Sequence, residues 1–317
     1  MQTYIGIDIS KNDFLACDSE LSKPLKFNNN LVGINSFLSY LKKQRYIKTD
    51  TIIGLESTGS YHLPLTVNCT NSGYAVKVIN PIITKAQNSS SIRKIKTDKA
   101  DAKLIRLCLI KGAGEEFKDS AEEVVFKNLI RERYFLAKLK AKLIVKQQDI
   151  TLKEECLKMP ICTINKELED VVLGKINYLE QQLASFKANE QALLRSIPGI
   201  GKVTAMTIVT EVGSMDKFSS AKKLVGFIGL DSKIKESGTS LKVRGHISKR
   251  GNKYIRKTLY NAAMTAIQRP NIFYDFYHKK LSEGKAKNVC LCAVMRKMVH
   301  VIYAVLNRQS PFVEKGA

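Results

Sequence analysis

Tyr4-Ile5-Gly6-Ile7-Asp8 is an apolar run ending on a carboxylate, and Thr51-Ile52-Ile53-Gly54-Leu55-Glu56 repeats that pattern further along the chain. Both read as buried strands. Between them, Phe14 to Cys17 and Leu25 to Phe27 read as short strands after turns, and Leu31, Ile34, Phe37, Leu38 and Leu41 share one face of a helix over Leu31 to Lys43. A helix after Glu56-Ser57-Thr58-Gly59, ending near Gly73, leads to a fifth strand, Tyr74 to Ile79, closed by Asn80-Pro81. Three early strands followed by strand–helix alternation predict an α/β domain with a mixed sheet over residues 1–118.

Beyond it the periodicity changes. Leu129, Leu136, Leu143 and Ile150 recur every seven residues, and Val172, Ile176, Leu179, Leu183 and Phe186 alternate steps of four and three. Those spacings are coiled-coil seams. Met159-Pro160-Ile161-Cys162 interrupts them, which predicts an antiparallel helical hairpin over residues 119–194, packed either on the chain's own core or on another chain. Residues 195–317 open with Ser196-Ile197-Pro198-Gly199-Ile200-Gly201-Lys202 and then read as helical and basic, so the fold class is α/β plus all-α.

The charge balance restricts what such a chain can do. With 52 Lys+Arg against 29 Asp+Glu, the net charge is +23, and the densest positive stretch runs from Lys233 to Lys257. Charge of that size calls for a polyanion, and it predicts an affinity for nucleic acid that falls steeply with salt. The apolar run Val289 to Met295 stops at Arg296-Lys297, short of the ~18 residues a membrane span needs. The N-terminus lacks the pattern of a signal peptide, and the seven cysteines include no C-x-x-C pair, so a cytoplasmic chain with reduced thiols is expected. Four scattered histidines leave carboxylates as the ligands of any metal, and therefore a hard cation.

Three constellations stand out. Asp8, Glu56, Asp98 and Asp101 lie at strand ends and at the start of the helical run Ala100 to Leu109, and clustered carboxylates of this kind suit one or two Mg²⁺ ions. Taken singly, Asp98 and Asp101 also read as a helix cap, Asp8 as the partner of a lysine, and Glu56 as a solvated strand end. Gly199, Gly201 and Lys202 form a tight turn between apolar helices that suits a helix-hairpin-helix grip on a phosphate backbone, or a plain connector. It is no nucleotide-binding P-loop, since Ser196 and Val203 occupy positions that need Gly and Ser/Thr. Finally, Ser237 sits in the Gly-containing loop Glu236-Ser237-Gly238-Thr239-Ser240, before Arg244, His246, Lys249 and Arg250. A serine among cations can attack a phosphodiester, or the loop can simply bind phosphate.

Taken together, these residues resemble one family. Tyr4 to Lys11, Glu56-Ser57-Thr58-Gly59, Val78-Ile79-Asn80-Pro81 and Lys96-Thr97-Asp98-Lys99-Ala100-Asp101-Ala102 are similar to motifs of the DEDD transposases of the insertion-sequence-110 family, which includes the pilin-gene invertases. Ile197-Pro198-Gly199-Ile200-Gly201, Phe227-Ile228-Gly229-Leu230, Glu236-Ser237-Gly238 and Ile247-Ser248-Lys249-Arg250-Gly251 resemble that family's C-terminal domain. The resemblance implies a RuvC-like (RNase H-type) domain, a coiled-coil connector and a small helical transposase domain. It implies Asp8, Glu56, Asp98 and Asp101 as ligands of two Mg²⁺ ions and Ser237 as the nucleophile that becomes joined to DNA. It further implies DNA element ends and target as substrates, a noncoding bridge RNA as guide, and a homo-oligomer of two to four subunits with composite sites, in a bacterial or archaeal nucleoid. One departure is Asp231, where the family commonly has proline after the Gly-Leu pair. Two other functions compete: a RuvC-like junction nuclease that uses water, for which Ser237 would be dispensable, and a noncatalytic nucleic-acid-binding protein.

Overall fold

A computed structural model describes residues 2–18, 24–57, 59–89, 98–158, 164–237 and 241–314, with the side chains of 88–89, 98–99, 164–165, 233–237 and 241–246 left out. The chain divides into two compact units, Met1–Ala121 and Glu122–Ala317.

The first unit is built on a six-stranded mixed sheet. Its strands are β1 (Thr3–Ile9), β2 (Asp13–Cys17), β3 (Leu25–Asn28), β4 (Thr51–Glu56), β5 (Ala75–Ile79) and the short β6 (Glu115–Glu116), in the order β3-β2-β1-β4-β5-β6. β1, β4 and β5 run parallel, and the other neighbouring pairs are antiparallel. Helix α1 (Leu31–Lys43), whose first turn is capped by the Asn30 side chain on the Gly33 amide, and α2 (Leu63–Asn71) cover one face. There Ile5, Ile7, Ile53, Leu55 and Val76 meet Ile34, Phe37, Leu41 and Leu65 in one buried core. Successive residues of a strand point to opposite faces, so Tyr4, Gly6 and Asp8 and their neighbours Ile52, Gly54 and Glu56 share the other face. Helices α3 (Pro81–Ser89) and α4 (Asp98–Ile110) complete the unit, and Ile105, Cys108 and Leu109 of α4 pack on Ile79, with Tyr4 and Ile52 beside them.

Two glycines let α4 lie against the sheet. Gly6 and Gly54 are paired across β1 and β4. A methyl group on Gly6 would run into the Ala102 carbonyl and the Arg106 amide, and one on Gly54 into the Leu109 side chain. With no side chains between them, the helix backbone rests on the strand backbone, and Arg106 Nε donates to the Tyr4 carbonyl at 3.1 Å.

The second unit contains α5 (Ala121–Leu157) and α6 (Ile164–Ala184), which run antiparallel: Arg133 pairs with Glu180 at 2.7 Å and Lys140 with Glu169 at 3.7 Å. The predicted turn, residues 159–162, lies outside the described residues. On α6, Val172, Ile176, Leu179 and Leu183 are buried, as the four-three spacing requires. Next come α7 (Ala188–Arg195), α8 (Lys202–Val212) and α9 (Ala221–Ile228), followed by a two-stranded hairpin of β7 (Ser232–Ser237) and β8 (Leu241–Ile247). The chain then forms α10 (Lys253–Ala266), α11 (Ile272–Ser282) and α12 (Lys287–Arg308). By length and composition α12 could cross a membrane, but half of its most apolar stretch is buried, and Val294, Met295, Met298 and Ile302 belong to the unit's main core.

The hairpin corrects the sequence reading of an all-helical C-terminal domain with Ser237 in a loop: Ser237 closes a strand. The basic residues had hidden a period of two, in which Lys233 and Lys235 flank Ile234, and Lys242 and Arg244 flank Val243.

Candidate active site

Register places the first two carboxylates. β1 and β4 pair in parallel up to Ile7 and Leu55, so Asp8 and Glu56 follow as neighbours where the two strands end, about 4.8 Å apart across the sheet. Both lie on the face that receives α4. The Cys108 thiol on that helix is pushed up mainly by burial, and the Glu56 carboxylate adds to the rise against Lys111. Asp101 belongs to the same helix, one residue before Ala102, whose carbonyl is seated on Gly6. Asp98 begins α4, and its side chain lies outside the described residues.

Glu56 is held from a third direction. Thr84 on α3 donates its hydroxyl to Glu56 Oε2 at 2.7 Å, and the Ser57 amide donates to the Ile79 carbonyl at 3.0 Å. Among the described residues no three His, Cys, Asp or Glu side chains stand close enough to hold a metal ion. Asp8 and Glu56 are neighbours on the face covered by the helix that carries Asp101, and carboxylate oxygens are the donors that a hard divalent cation takes.

In the second unit, Ser237 is the last residue of β7 and pairs with Leu241, and residues 238–240 lie outside the described residues. The base of this hairpin is tightly fastened. Ser248 donates its hydroxyl to Asp231 Oδ1 at 2.5 Å and its amide to the Asp231 carbonyl at 2.8 Å. The Lys249 amide reaches the Gly229 carbonyl at 3.1 Å, and the Asn252 amide reaches the Phe227 carbonyl at 2.8 Å. A methyl on Gly251 would strike the Phe227 carbonyl, so the motifs 227–230 and 248–251 interlock through their backbones. Lys249 and Arg250 stay exposed, while the side chains of Arg244 and His246 fall outside the described residues.

Behind this base lies an ion pair that the sequence reading missed. Glu211 of α8, 1% exposed, takes two hydrogen bonds from Arg131 of α5, at 2.8 and 2.9 Å, and a third from Asn252 Nδ2 at 2.7 Å. The Asn252 Oδ1 caps α10 on the Tyr254 and Ile255 amides. No spacing rule links residues 131, 211 and 252, and only the tertiary fold brings them together.

Gly199 and Gly201 divide the roles predicted for their turn. Gly199 has φ +84°, and a methyl there would run into the Ala262 carbonyl, so its missing side chain serves packing on α10. Gly201 opens α8 in extended conformation with open space around it, beside the exposed Lys202.

Two family models match stretches of this chain. Residues 5–153 match the model of the IS110-type DEDD transposase, described as a transposase, and residues 191–278 match that of the transposase IS116/IS110/IS902 family. The chain is 27% identical to the pilin gene-inverting protein of Moraxella bovis over 321 residues, covering 98% of each. It is 24% identical to the transposase for insertion sequence element IS1328 of Yersinia enterocolitica, again over 98% of each. It is 33% identical to the transposase for insertion sequence element IS1111A of Coxiella burnetii over 140 residues, 43% of this chain and 38% of the relative. With Asp8, Glu56 and Asp101 in the stretch matched by one model and Ser237 in the stretch matched by the other, the chain belongs to the IS110/IS116/IS902 family of DEDD transposases, enzymes that transpose and recombine DNA.

Proposed function

We propose that this transposase cuts and rejoins DNA through a covalent phosphoserine at Ser237, with Asp8, Glu56, Asp98 and Asp101 of a RuvC-like domain holding Mg²⁺, in two ions, against the scissile phosphate. The observation that carries this reading is the register of β1 and β4, which makes Asp8 and Glu56 neighbours on the face covered by the helix of Asp101. When bound, the metal would polarise the phosphate oxygens and neutralise their charge. Ser237 Oγ forms a bond to phosphorus, loses its proton to solvent, and a bridging P–O bond breaks to leave a free hydroxyl on the DNA. Attack by a strand hydroxyl on the phosphoserine reverses the step and restores the serine, so no nucleotide need be consumed. Lys249 and Arg250, exposed at the hairpin base, and Lys202 with Gly201 are suited to hold the phosphate backbone.

A noncoding bridge RNA as guide is consistent with a net charge of +23, which exceeds what a few catalytic contacts with DNA would use. A homo-oligomer, dimer to tetramer, assembled through α5 and α6 as a coiled coil is supported by Val145 and Leu152, 66% and 60% exposed on α5.

The test is a denaturant-resistant protein–DNA adduct formed with element-end DNA and Mg²⁺. Ser237→Ala is expected to abolish it. Undiminished strand transfer in that variant would leave hydrolysis by water as the mechanism.

A further inference from the structure

The Asn80-Pro81 turn delivers a side chain to the carboxylate site. β5 ends at Ile79, the residue paired with Glu56 across β4 and β5. Asn80 Oδ1 then accepts from the Ile82 amide at 3.0 Å, and Pro81, with φ already helical, starts α3. One turn on, Thr84 is 4% exposed and 2.7 Å from Glu56 Oε2. The strand pairing and the helix start are therefore fixed within a few residues of each other, and together they fix where the hydroxyl points.

That hydroxyl has one proton and two acceptors in reach: Glu56 Oε2 at 2.7 Å and the Pro81 carbonyl at 3.0 Å. A threonine in a helix can satisfy itself on a carbonyl of the preceding turn, so packing alone does not need the carboxylate. The shorter contact goes to the acceptor that can carry charge, and such bonds are the stronger ones. We propose that Thr84 is a positioning residue that holds the Glu56 carboxylate in its metal-binding rotamer. The proposal rests on the reading of Glu56 as a metal ligand. Groups that orient a ligand from behind set metal affinity nearly as firmly as the ligand does, by about ten- to hundredfold.

Mn²⁺ binding to the full-length protein, followed by electron paramagnetic resonance of the free ion, tests this without any DNA reaction. Thr84→Val keeps the shape and removes the donor; it should weaken Mn²⁺ about ten- to hundredfold and raise the Mg²⁺ needed for half-maximal adduct formation by the same factor. Thr84→Ser restores the donor and should stay within about threefold of the parent. Thr84→Ala reads the same loss should the valine variant not fold. Wild-type Mn²⁺ affinity in both donor-free variants, alongside loss in Glu56→Gln, would overturn the role of Thr84 and leave Glu56 a ligand. Unchanged affinity in Glu56→Gln would remove the ligand reading and the proposal with it.

Discussion

Gly6→Ala tests whether the seat of α4 on the sheet, rather than the carboxylates alone, makes the site. A methyl at Gly6 would stand 2.7 Å from the Arg106 Cβ and press on the backbone of Ala102 and Arg106. Carbon atoms settle about 3.5–4.0 Å apart, so α4 must shift on the order of 1 Å, carrying Asp101 away from the strand that bears Asp8. Overpacking of this kind costs about 1–3 kcal/mol, slightly offset by the reduced freedom of the unfolded chain. A displacement of about 1 Å in a reacting constellation costs about a hundredfold in rate. Gly54→Ala is the internal control, since Gly54 is paired with Gly6 on the same face. Its methyl would meet Leu109, 2.6 Å from Cγ, a buried side chain rather than the backbone of the helix. Urea denaturation and the Mg²⁺-dependent rate of adduct formation are the two readouts. Gly6→Ala should unfold earlier by about 1–3 kcal/mol and lose about a hundredfold in rate, with Gly54→Ala losing less than about tenfold. Equal losses in the two variants, or a wild-type rate in Gly6→Ala, would refute the argument that the α4 backbone sets the spacing.

Two further outcomes follow from the geometry. Asp231→Ala and Ser248→Ala each remove a hydrogen bond to a carboxylate and should each destabilise the second unit by about 1.5–3 kcal/mol in urea melts; because they break the same bond, the double variant should lose little more than either, and full additivity would show that the pair does not act as one. His62 is buried, its Nδ1 has no partner among the described residues, and burial holds its pKa below the ordinary 6.5. The unfolded chain takes up a proton as pH falls through 6.5 while the folded one does not, so stability drops by up to about 1.4 kcal/mol per pH unit and levels off below the folded pKa. In His62→Gln that part of the slope should vanish, and parallel stability curves for the two proteins between pH 7 and 5 would count against it.

The neighbourhood of Asp8 and Glu56 was legible because strand position is written in the local pattern. Asp8 and Glu56 each end an alternating apolar run, and once the two runs pair, register makes them neighbours. Gly6 and Gly54 carried a further signal at matching positions, since glycine within a strand marks a close approach. The hairpin was hidden by composition: counting Lys and Arg between 233 and 257 gave a basic patch, while their alternation with Ile234, Leu241 and Val243 gave the strands. Thr84 and Glu211 were out of reach for another reason. Their partners lie 28 residues from Thr84 and 80 residues from Glu211 in the chain, and nothing local selects them.

Asp231, where the resemblance leads one to expect proline, makes two different contacts with Ser248. Proline lacks the amide hydrogen but keeps the carbonyl, and the Ser248 amide uses only the Asp231 carbonyl, at 2.8 Å. The backbone fastening of the hairpin therefore survives either residue. What aspartate adds is an acceptor for the Ser248 hydroxyl, at 2.5 Å. With its hydrogen committed to Asp231, the Ser248 oxygen presents its remaining lone pairs to the Arg250 amide, 3.4 Å away. Arg250 is exposed, and Lys249 before it sits at φ +55°, a conformation an ordinary residue keeps only when its surroundings enforce it. Proline would restrain that corner by fixing one dihedral angle. Aspartate restrains it across the base of the hairpin, tying the strand that carries Ser237 to the loop that presents the cations.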